Sequence, residues 1–153
     1  MNIRLQNYLY HKFPSVFSKK LKNEITCSDG WFFLLNFTCE AIQRYKNEKN
    51  FELEKNNLPP VYLQIDEINE KSGQLNIAYQ TDDDKIKTII NTVQLLSNYI
   101  CEETGVFNET VGKTSKHWIK TVSRNQTDGI DWKSNYNNDL LGIIEEVKSL
   151  SND

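Results

Sequence analysis

VYLQIDEINEKSGQLNIAY, residues 61–79, decides how the rest of the chain is read. Val61, Leu63 and Ile65 alternate with Tyr62, Gln64 and Asp66, and after the turn residues EKSG the period of two returns at Leu75, Ile77 and Tyr79. Alternation of this kind, broken by Ser-Gly, predicts two strands with one buried face each, joined as a β-hairpin.

On both sides the period changes to that of a helix. Upstream, Trp31, Leu34, Leu35, Thr38, Ala41, Ile42 and Tyr45 form a helical stripe that Ser28 and Asp29 can cap. The polar run KNEKNFELEKNN, residues 46–57, reads as a loop or frayed extension, and Pro59-Pro60 stops anything helical. A short helix over 2–13, closed by Pro14, precedes it. Downstream, Thr81 and Asp84 have capping-box spacing, and Ile86, Ile89, Ile90, Val93, Leu96 and Ile100 carry a helix to about Gly105.

Beyond Gly105, VFNETVG and HWIKTVS read as two short strands around KTSK, followed by a polar loop holding Trp132. DLLGIIEEVKSL, with Leu140, Ile143, Ile144, Val147 and Leu150 on one face, predicts a C-terminal helix over 139–150. With no repeat or linker, residues 1–153 read as one α+β domain, a hairpin or small antiparallel sheet packed by two or three helices.

Composition narrows the function. A chain that is 38% hydrophobic and 11% aromatic forms a core, and a net charge of −3 argues against a broad nucleic-acid face. The longest apolar run, WFFLLNF, is too short to cross a bilayer, and the first residues lack the apolar stretch of a signal peptide. The expectation is a cytoplasmic protein without membrane association, whose Cys27, Cys39 and Cys101 are reduced thiols.

Each chemical motif has a plain alternative. Asp82, Asp83 and Asp84 suit a helix start better than magnesium. VGKTS resembles the end of a phosphate loop, but Phe107 stands where that motif needs glycine. Neither His11 nor His117 sits in a nucleophile–base pattern, so the chain reads as non-catalytic and without a cofactor. Lys19, Lys20 and Lys22 form one basic patch; Lys113, Lys116, Lys120 and Arg124 form another, the strip that would meet phosphates. Trp31 and Trp118 read as core residues, whereas Trp132, in polar surroundings, reads as an exposed contact. Partner-binding residues are thus expected among Trp132, Lys113, Lys116, Lys120, Arg124, Asp82 and Asp83.

Six motifs occur in a telling order: LYHKFPSVF (9–17), CSDGW (27–31), CEAIQ (39–43), the hairpin (64–79), CEETG (101–105) and HWIKTVS (117–123). Together they resemble a family of small phage- and prophage-encoded proteins with a Cys-Gly-Asp-Gly-Trp turn, a Lys-Glu-Lys-Phe-Gly-Gly-Leu-Arg-Phe-Tyr hairpin and a Cys-x-x-Cys-Gly zinc knuckle. The resemblance spans roughly residues 5–124. It implies a degenerate, metal-free knuckle here, because Cys101 remains while Thr104, Ser123 and Asn125 or Gln126 stand at the other ligand positions. The knuckle is then expected to pack through Val106, Phe107, Trp118 and Ile119, with Cys101 an ordinary buried thiol. Asp66 and Asn76 replace basic hairpin positions, so an anionic partner reached there is not implied. That family is mostly uncharacterised, so the function is read from the acidic composition, the lack of a catalytic pattern and the lost metal ligands together with the resemblance. The expectation is a non-catalytic accessory factor of phage or mobile-element origin that binds and inhibits a bacterial host protein, a defence effector or a toxin. The alternative is a nucleic-acid-binding domain descended from a zinc knuckle.

Overall fold

The computed structural model describes residues 1–17, 21, 24–108, 110–115, 118–127 and 130–135. The expected helix over 139–150 and Lys19, Lys20, Lys22, Lys116 and His117 lie outside the described residues. Within them the chain has an α+β arrangement of three α-helices and two small antiparallel sheets.

Helix α1, Ile3–Lys12, starts where the Asn2 side chain accepts from the Arg4 N–H, and it buries Leu9. Helix α2, Phe32–Lys55, is longer than its apolar stripe predicts. Its polar second half keeps the helix because Glu, Lys and Leu are strong helix formers and Lys49 pairs with Glu52 one turn on, at 3.2 Å. Asn57, with φ of 54°, lies just beyond its end. Ser28 and Asp29 do not cap it as expected. A 3-10 turn, Asp29–Trp31, intervenes; Ser28 makes no capping bond, and the Asp29 carboxylate accepts from the Asn2 N–H.

Strands β1, Gln64–Lys71, and β2, Gln74–Gln80, form the hairpin around Ser72 and Gly73, both in the left-handed region that a two-residue hairpin turn requires. Glu70 and Lys71, read as turn residues, belong to the strand, while residues 61–63 do not. Opposite them the partner chain has already turned away after Gln80. A bulge between Ile65 and Glu67 moves the inward face from Leu63 and Ile65 to Ile68.

Helix α3, Asp84–Leu96, covers the outer edge of β2: Gln94 Oε1 and Ser97 Oγ accept from the Ile77 and Leu75 N–H groups. Its cap is Asp83, whose carboxylate accepts from Lys85 and Ile86, and not the expected pair of Thr81 and Asp84. Thr81 instead donates to the Tyr62 carbonyl, and Asp84 pairs with Lys87 at 2.9 Å. The helix ends eight or nine residues before Gly105, through a 3-10 turn at Ser97–Tyr99.

The second sheet has the order β4–β3–β5, with β3 Val111–Thr114, β4 Thr121–Ser123 and β5 Trp132–Ser134. Most of VFNETVG lies outside it, and Trp132, expected in a loop, sits in its third strand. Thus Lys113, read in a phosphate-loop remnant, is a strand residue.

Candidate functional site

CSDGW and CEETG, seventy residues apart, meet in space. CEETG is a tight turn, not a helix end: the Cys101 carbonyl accepts from the Gly105 N–H, and the Cys101 N–H donates to Val106. The Gly30 N–H donates to the Glu102 carbonyl, and the indole N–H of the fully buried Trp31 donates to Ile100. The backbones touch so closely that a Cβ on Gly30 would lie 2.5 Å from the Gly105 nitrogen. Gly105 itself has φ of 74°.

The hairpin tip docks on the same junction. Thr121 Oγ1 donates to the Gly73 carbonyl, Lys113 Nζ to the Ser72 carbonyl, and the Trp118 indole N–H to Glu70 Oε2 at 2.7 Å. Between tip and turn lie Glu70, Glu102, Glu103, Ser28 and Lys120. Lys120 Nζ bridges Glu103 at 2.6 Å and Glu102 at 3.4 Å. The single Ser28 hydroxyl proton is shared between the two carboxylates, at 3.3 Å from Glu103 Oε1 and 3.4 Å from Glu102 Oε1. Glu102 is 2% exposed, and its Oε2 has no hydrogen-bond partner. Burial pushes its carboxyl up to about 7, against the attraction of Lys120 and with repulsion from Glu70 and Glu103. A carboxyl so placed takes up and releases a proton near neutrality.

Thr104, Ser123 and Gln126, the positions singled out by the resemblance, converge around Cys101. Its Sγ lies 3.3 Å from Gln126 Oε1. Burial would raise this thiol, yet hydrogen bonds from the Thr104 side chain and from the backbones of Thr104, Ser123 and Glu103 outweigh it and hold the thiol below its ordinary value. Cys101 is a free, buried thiol as expected, but it differs from Cys27 and Cys39, which burial pushes up to about 12. It is also fully enclosed, so an external electrophile has no path to it. One thiol, two hydroxyls and an amide oxygen do not make a zinc donor set. Among the described residues no group of three or more His, Cys, Asp or Glu is placed to hold a metal ion. Nor is any helix among them long and apolar enough to cross a membrane.

The expected packing of this region is overturned. Val106, Phe107, Trp118 and Ile119 are all exposed, and the small core consists of Cys101, Val111 and Val122 with Trp132 against them. Trp132 is half-buried: its ring crosses the face that Gly112 leaves open, and its indole N–H donates to Val122. The roles expected of Trp118 and Trp132 are thus exchanged, because the third strand turns Trp132 inward. A strand pairing between residues distant in sequence leaves no periodic signal from which to foresee this.

Among the described residues of the basic strip, each cation has a neighbour within the chain. Lys113 reaches across to the hairpin tip near Glu70, Lys120 is held by two glutamates, and the Arg124 guanidinium lies 5.9 Å over the Trp132 ring. Asp82 is exposed at the start of α3, about which Asp83 is engaged in capping and in accepting from Tyr45 Oη at 2.7 Å. Neither approaches the junction residues through any described contact, and His11 is exposed on α1. Comparison with protein-family models, curated proteins and solved structures finds no match.

Proposed function

We propose that this chain is a non-catalytic binding protein of phage or mobile-element origin, acting by occupying a surface of a bacterial host protein, a defence effector or a toxin. The observation that carries the binding role is Trp118. It is 67% exposed, yet its indole is pinned by Glu70 and it walls, with Ile119, a cavity of about 280 Å³ at the hairpin tip. A large aromatic held in place before contact loses little entropy on binding, which is what an interface anchor needs. The phage origin rests on the resemblance carried by the six ordered motifs, and the inhibitory role on the acidic composition and the lack of a catalytic pattern in the sequence. The engagement of Lys113 and Lys120 with partners inside the chain favours a protein partner over nucleic acid.

The test is co-purification from bacterial host cells at high salt, with wild-type protein and Trp118→Ala. A stoichiometric protein retained by the wild type and lost by the variant is expected. Absence of any stoichiometric partner overturns the reading, and steeply salt-dependent nucleic-acid binding replaces it with the alternative.

A further inference from the structure

Among the described residues, helix α2 has one face buried and the opposite one uncovered. Leu35, Thr38, Cys39, Ile42 and Lys46 point inward; half a turn away lie Phe33, Phe37, Glu40, Arg44, Asn47 and Phe51. The three phenylalanines are 67%, 64% and 60% exposed. Spacings of four, three, four, three and four along this stripe are those of a helix–helix seam extending about 27 Å. From Asn47 to Lys55 no residue is buried, so the core does not explain why the helix runs so far.

The stripe is symmetric as well as apolar. Phe33 and Phe51, Phe37 and Asn47, and Glu40 and Arg44 are each equidistant from Ile42. A two-fold axis perpendicular to the helix at the level of residue 42, on the open face opposite the buried Ile42 side chain, therefore maps the seam onto itself and brings acid opposite base at its centre. A parallel pairing would set Glu40 against Glu40 and Arg44 against Arg44, so charge selects the antiparallel arrangement. Within one helix the Glu40–Arg44 pair is loose, 3.8 Å apart with both side chains exposed, so little is lost when it exchanges. Ala41 beside the axis leaves room for close approach, and the groove of about 480 Å³ walled by Phe37, Tyr45, Lys85 and Ile89 can receive an aromatic ring.

We infer that the protein pairs with a second copy of itself through α2, antiparallel, with Phe33 against Phe51 of the partner subunit and Glu40 against Arg44 of the partner subunit. An isologous contact of this type closes on itself and makes a dimer, not a filament. The groove beside α2 and the Trp118 cavity share no lining residue, so the pairing and the proposed host contact use different side chains.

Sedimentation equilibrium of the full chain tests this, with circular dichroism to check folding. The wild type is expected to dimerise; Arg44→Glu, which sets like charges opposite each other twice, weakens association about ten-fold or more. Glu40→Arg combined with Arg44→Glu restores it, since acid again faces base. A monomer up to roughly 1 mM overturns the inference. So does a dimer indifferent to Arg44→Glu, or one that the double exchange fails to rescue.

Discussion

From Leu9 to Val93, nineteen of the described residues are apolar, buried and share one core, whereas the strands after Cys101 close over three, with Trp132 against them. The first region is held by area removed from water, which does not depend on any single atom. The second has too few apolar side chains for that. It is held by the Gly30–Gly105 backbone contact, the Thr121–Gly73 and Trp118–Glu70 hydrogen bonds, and the ring of donors around Cys101. A small sheet without its own core is thus ordered by docking on a neighbour that has one.

The largest test of this contrast is Trp31→Ala. Removing the largest fully buried side chain should cost about 3–5 kcal/mol and lower the stability of the whole molecule in one denaturant transition. Loss confined to the second sheet would invert the comparison.

Glu102 sharpens it next. Its carboxyl titrates near 7 when folded, against 4.5 otherwise, so the folded state holds the extra proton between those values. Stability therefore falls as pH rises through that window, by up to ~3 kcal/mol. Glu102→Gln, which cannot ionise, should flatten the profile in chemical denaturation at pH 5 and pH 8. A slope unchanged by the substitution would show that Glu102 is not the group responsible.

Gly30→Ala should be smaller and local. A methyl group against the 101–105 backbone forces the two turns apart at about 2 kcal/mol. Hydrogen exchange should quicken at Val111, Val122 and Ser123 while Ile86 and Ile90 stay protected. Equal loss of protection in both regions would mean that they unfold as one.

The hairpin was legible in the sequence because alternation and Ser-Gly are local signals that needed no knowledge of neighbours. Even there, the bulge at Asp66 and the true start at Gln64 depended on the partner strand. The cap moved to Asp83 because Thr81 found a carbonyl on Tyr62, a residue nineteen positions away. The candidate site was less legible. Its basic residues were visible, but the partners Glu70, Glu102 and Glu103 come from other elements, and they draw Lys113 and Lys120 into a network within the chain.

By itself the sequence determined the α+β class and three of the helices, since period is a property of the chain alone; positions 101, 104, 123 and 126 were singled out only by a resemblance. Tertiary structure decided which tryptophan faces solvent, which carboxyl holds a proton near neutrality and which face of α2 lies open. Burial and charge pairing are set by neighbours in space, and here those neighbours are up to seventy-five residues apart in the chain.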